Sequence, residues 1–170
     1  MKRIIYILCC VLLFVSCVKE DRNLMLVNQE ESIDRYISSL KDVRVTRNGG
    51  SNRVVFTEGK GTDSLQVGDK VNFYYAGYIF YNGKSSLFVT NNPDVAQKQN
   101  FPLNGDIESA VLGSGTLISG LDRGLAGAKA GEICQIVFSA KYGYGNQPVY
   151  NVPKMSPLIF DVWVESISKN

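Results

Sequence analysis

The chain of 170 residues contains no histidine. That absence removes Ser-His and Cys-His nucleophilic pairs and every histidine-bearing zinc site, which excludes enzymes of those kinds. Cysteine is nearly confined to the amino terminus: Cys9, Cys10 and Cys17 lie there, and Cys134 is the only one beyond it. Loss of a leader holding Cys9 and Cys10 would leave Cys17 and Cys134, and no internal disulfide is possible once Cys17 is itself modified. Cys134 stands between Ile133 and Ile136 in an alternating segment, with nothing near in sequence to lower its pKa, so a small buried hydrophobe is expected there rather than a nucleophile. The apolar run Ile4 to Val15 is too short to span a bilayer as a stable helix. No basic stripe accompanies the net charge of +2, and part of that charge is Lys2 and Arg3, so nucleic-acid binding is not expected. There is no internal repeat.

What is present begins with that apolar run. Two cations before it and small residues after it fit a secretory signal over residues 1–16. It ends in FVSC, which resembles the lipobox of bacterial lipoproteins, with Phe14 where leucine is usual. The resemblance implies that Cys17 becomes the lipidated amino terminus. The expectation is a lipoprotein held to a membrane of the bacterial cell envelope, on the periplasmic side or at the outer surface; an ordinary secretory signal cut nearby is the alternative. Residues 17–31, with the mixed-charge run KEDR, read as a solvated tether.

Ile33, Tyr36, Ile37 and Leu40 recur at helical spacing, which predicts a short amphipathic helix docked on the domain's own sheet, within an extension covering residues 32–48. The domain proper is expected over residues 49–170. Arg53 to Thr57 reads as a strand, and Val71 to Ile79 alternates with Val71, Phe73, Tyr75 and Gly77 on one face. Asn82-Gly83 marks a tight turn. Lys84 to Ala110 has little periodicity beyond a helical turn at Asp94 to Gln99 and reads as an enlarged, irregular, partly mobile loop. A helix from Leu121 to about Lys129, a strand from Ile133 to Ser139 and a closing strand from Leu158 to Ile167 complete an α+β domain: a curved antiparallel sheet around a short central helix.

The stretch VLGSGTLISGLDRGLAGAKAGEICQIVFSAKYGYG, Val111 to Gly145, orders its glycines, apolar pairs and tyrosines in a way packing alone does not require. With GDKVNFYYAG before it and NVPKMSPLIFDVWVESI after it, the order resembles the FKBP-type peptidyl-prolyl cis/trans isomerases. The resemblance implies a dry apolar pocket without covalent catalysis, metal or cofactor. It places Tyr75, Phe88, Ile118, Tyr144 and Phe160 at the catalytic positions. The Ile118 N–H and the Tyr144 hydroxyl would hold substrate carbonyls. Val89, Leu117, Leu121 and Val152 would border the bound ring. Two departures stand out: Leu121 replaces the family's tryptophan floor, and Val89 replaces an aspartate that orients the neighbouring tyrosine. Both imply weaker catalysis and weaker macrolide binding. The expected partners are X-Pro segments of unfolded or partly folded proteins, with a macrolide as possible inhibitor. A peptide-binding module or chaperone with little isomerase activity is the alternative, and an adhesin-like structural lipoprotein a third that leaves the Val111 to Gly145 order unexplained.

Overall fold

The computed structural model describes residues 2–149 and 151–170, with side chains from residue 20 onward. The leader and the lipidation expected at Cys17 lie outside the described side chains. Among the described residues no helix is long and apolar enough to cross a membrane.

Two strands of eleven residues, β3 (Lys70–Phe80) and β7 (Leu158–Ser168), pair antiparallel at the centre, Tyr75 opposite Val162 and Gly77 opposite Phe160. Around them lie β1 (Arg44–Asn48), β2 (Ser51–Thr57), β4 (Lys84–Thr90), β5 (Glu108–Val111) and β6 (Ile133–Phe138). The order is β1-β2-β6-β7-β3-β4, and β5 continues the outer edge by pairing with the first part of β3. Every pairing is antiparallel. The period-two alternation sorts side chains cleanly between faces. Phe73, Phe138, Leu158, Phe160, Val162 and Val164 pack with Leu121 and Leu125 of α3 (Ser119–Leu125) on the concave face. Val54, Ala76, Tyr78, Val137 and Ile159 pack on the other face against Ile33 and Ile37 of α1 (Lys2–Ser39). The α+β arrangement read from the pattern is the one found.

Four local readings need correction. α3 stops at Leu125, not near Lys129. Gly127 takes φ 79° and turns its N–H to the Leu65 carbonyl at 2.8 Å, while the Arg53 guanidinium takes the carbonyls that a longer helix would use. β1 escaped the reading because RVTRN is half exposed and carries no apolar alternation, so residues 44–48 belong to the sheet. Residues 84–110 are mostly regular: β4, then α2 (Pro93–Gln99), then β5. Asn92 caps α2 by accepting from the N–H groups of Asp94 and Val95, Pro93 starts it, and Asn100 ends it at φ 48°. Finally, α1 runs through the described part of the expected tether. Gln29 ties it down by donating to the Met155 carbonyl at 2.7 Å and accepting from the Ala140 N–H at 2.9 Å.

Candidate functional site: an aromatic cavity at the start of α3

The site begins with a missing side chain. A Cβ on Gly77 would lie 2.6 Å from the Phe160 ring and 2.9 Å from the Phe88 ring, so glycine lets both rings close over β3. Phe88 and Phe160 meet edge to face, centroids 5.7 Å apart at 88°. Phe160 also packs beside Tyr75 at 6.2 Å and stacks on Phe138 at 5.9 Å, and Phe88 backs Tyr144 at 6.2 Å. A register shift in the β3–β4 ladder leaves Phe88 between the pairs Gly77–Val89 and Tyr78–Leu87. The bulge turns the consecutive Phe88 and Val89 toward the same concave cluster, which an unbroken alternation would forbid.

Over this aromatic base lies a cavity of about 190 Å³. Tyr75, Val89, Leu117, Ile118 and Leu121 line it, together with Tyr144 and Phe160. Phe88 and Val152 do not reach it; both are buried in the cluster behind. The reading from sequence did not place Phe73, Asn104, Glu108 and Thr116 in the wall. Asn104 and Glu108 come from the segment read as irregular, and no local pattern marks them. Leu121 is buried and provides an apolar floor without aromatic area. The volume is below the range of about 300–1,000 Å³ typical of drug-sized ligands and suits one small ring. A larger apolar groove, about 450 Å³, lies between α1 and the β3–β4 turn at Leu24, Met25, Phe80 and Tyr81. It is more open, and none of the nine pocket positions carried over from the family lines it.

Tyr75 is held at three points. Where the partner of β3 changes from β4 to β5, the ladder is bridged by Asn91, a fully buried side chain. Its amide oxygen accepts from the Tyr75 N–H at 2.6 Å, and its nitrogen donates to the carbonyls of Phe73 (3.4 Å) and Asp106 (3.0 Å). The Thr90 hydroxyl donates to the Tyr75 carbonyl at 2.8 Å. At the ring's far end the Asn104 side-chain nitrogen donates to the Tyr75 hydroxyl at 3.1 Å. The Tyr75 hydroxyl is thus met by an amide from the segment between α2 and β5.

α3 presents its start to the cavity. Ile118 is its N-cap, with no capping side chain, and its N–H donates to no described residue. The position is set by Asp122, which accepts the Gly113 N–H at 2.8 Å, and by Gly120, where a Cβ would enter the Phe138 ring. Tyr144 follows the short turn at Ala140–Tyr142, closed by Gly145 donating to the Ala140 carbonyl at 3.0 Å. Cys134 is not part of the site: it is buried in β6, and burial, reinforced by the nearby Glu132 carboxylate, pushes its thiol pKa far up. Among the described residues no group of acidic or cysteine side chains is placed to hold a metal ion.

An open antiparallel sheet around one short helix is also the fold to which comparison with known proteins leads. The family model for FKBP-type peptidyl-prolyl cis-trans isomerase matches residues 61–165. FK506-binding protein 1 of Aspergillus oryzae is 30% identical over 113 residues, 66% of this chain and 94% of that protein. Peptidyl-prolyl cis-trans isomerase FKBP4 of Rattus norvegicus is 28% identical over 124 residues, 71% of this chain, and the match spans only 24% of that longer protein. The crystal structure of the three FKBP domains of wheat FKBP73 aligns over 75% of this chain and 52% of that one, TM-score 0.63, at 21% identity, which bears on the fold alone. The chain belongs to the FKBP-type peptidyl-prolyl cis-trans isomerase family.

Proposed function

We propose that the chain is a peptidyl-prolyl isomerase that assists the folding of envelope or secreted proteins. The observation carrying this reading is a cavity of one-ring size walled by Tyr75, Phe160, Ile118 and Leu121, with Tyr144 at its edge and neither nucleophile nor histidine base. Rotation about a peptide bond costs about 18–20 kcal/mol because resonance is lost. For X-Pro the isomers lie within about 1 kcal/mol, yet exchange takes tens of seconds or more, long enough to limit folding. A twisted amide has less charge on its oxygen and is less well solvated than the planar one. A dry aromatic cavity therefore favours it over the planar ground state, and no proton or bond needs to be transferred. The proline ring would sit on Phe160 and Leu121, the Ile118 N–H would take a substrate carbonyl, and Tyr144 would take another. The envelope role rests on the leader and on Cys17: Cys17→Ala should release the protein from membranes.

A clamp or chaperone with little isomerase activity is the second reading, favoured by Leu121 in place of an aromatic floor and by the small cavity. A proline-limited refolding assay with and without a macrolide inhibitor separates the two. Acceleration that the macrolide abolishes supports the enzyme; binding to unfolded protein without acceleration supports the clamp. Leu121→Trp with Val89→Asp should raise rate and macrolide affinity if those two positions limit activity, and overpacking would cost about 1–3 kcal/mol if the floor has no room for the ring.

A further inference from the structure

β5 carries a residue that its own pattern does not account for. Ala110 points into the concave core and is buried, as is Leu112 just beyond the strand, while Ser109 and Val111 are exposed. Two residues before Ala110 on the inward side stands Glu108, directly opposite the fully buried Phe73. An apolar side chain is what that position asks for. The carboxylate instead forms part of the cavity wall, half-buried, with no ion pair or hydrogen bond to any described residue. Among the described residues no lysine or arginine lines the cavity, and Glu108 is its only acidic side chain. Partial removal of a charge from water without a partner is unfavourable, and a partner charge brought to such a place is attracted more strongly than in bulk water.

We infer that Glu108 makes the site selective for proline flanked by a cationic side chain, a lysine or arginine adjacent in the peptide. This rests on the proposed isomerase reading and names its substrate class. A cavity of about 190 Å³ takes the proline ring and little else, so the neighbouring side chains must leave it along the wall. The proline amide brings no charge of its own, and the flanking residue is the nearest source of one. A Lys or Arg stem is long and apolar enough to lie along Leu117 or Val89 while its head reaches the carboxylate. A flanking Glu or Asp would meet an uncompensated like charge.

The test uses short peptides identical except for lysine, methionine or glutamate beside the proline, in one series before it and in another after it. Isomerisation is followed without a coupling protease and binding by chemical-shift titration, so that preference is readable even if turnover is not. Lysine should exceed methionine about fivefold, the upper end for a partly exposed ion pair. Glutamate should fall below methionine, and about 0.5 M salt should shrink the spread. Glu108→Gln should bring the three flanks together, and Glu108→Lys should reverse their order. Equal handling of the three flanks by the parent in both measurements, or a lysine preference that survives Glu108→Gln, would overturn the assignment. A charge preference in binding with no isomerisation of any peptide would sustain it and refute the isomerase reading instead.

Discussion

The two ends of α3 are treated in opposite ways. At its carboxyl end Arg53, only 2% exposed, donates to the carbonyls of Gly124, Leu125 and Ala126 at 2.9–3.2 Å. The same guanidinium pairs at 3.1 Å with Glu132, which is fully buried and also meets Arg44 at 3.5 Å. That end is tied from inside the protein by three hydrogen bonds and an ion pair, although Arg53 Nε and Glu132 Oε1 face each other outside hydrogen-bond geometry. At the amino end Ile118 is the N-cap, without a capping side-chain hydrogen bond, and it lines the cavity. A helix of seven residues is marginal by itself, so a donor can be left open at one end only because the other is fastened. The difference predicts a separation of stability from the proposed function: loss of the fastening should unfold the domain, whereas changes at the open end should alter activity in a folded one.

The largest effect is expected from Arg53→Met, which leaves Glu132 buried without its closest cation. Removal of one member of a buried pair costs about 3–5 kcal/mol, enough to unfold many domains of this size. Urea denaturation would register it, and the Arg53→Met, Glu132→Leu double variant should recover much of the loss. A cost below about 1 kcal/mol for the single change would mean that the pair does not fasten the helix. Gly120→Ala comes next, in the first turn of α3. Its methyl group would press on Phe138, which stacks under Phe160, for a cost of about 1–3 kcal/mol with peptide binding disturbed as well. Unchanged binding in this variant would show that the floor of the cavity is not coupled to the helix start.

Tyr144→Phe belongs to the open end. Isomerase activity should fall while stability changes by no more than about 1 kcal/mol, since the side chain is only half-buried. A large stability loss with activity per folded molecule intact would move Tyr144 to the core. The smallest effect is expected at Cys134, in the sealed strand β6 next to Glu132. Its thiol, with a pKa pushed up by burial, should resist alkylation at mildly alkaline pH in the native state and react only on unfolding. Rapid native-state labelling would show that this side of the domain opens.

Much of the cavity was legible in the chain because its residues sit in strands and turns with strong local signatures. The alternation of Phe73, Tyr75 and Gly77, the alternation of Phe160 and Val162, and the TLISG and YGYG motifs each constrain the backbone within a few residues, and seven of the nine pocket positions carried over from the family line the cavity. Phe88 and Val152 back the wall without reaching it. Ile33, Tyr36 and Ile37 likewise declared a docking face by their spacing, and that face lies on the convex side of the sheet.

What the sequence by itself determined was therefore periodic or local: the faces of the long strands, the docking stripe of α1 and the turn at Asn82-Gly83. Tertiary structure alone decided everything that depends on partners far along the chain. Asn91 bridges β3 across the gap between β4 and β5, Asn104 reaches the Tyr75 hydroxyl from 29 residues away, and Arg53 finds the end of a helix more than seventy residues later. None of these side chains belongs to a repeating pattern. A hydrogen bond between distant residues is set by how the sheet curves and where the chain crosses its edge, and a one-dimensional periodicity carries no record of either.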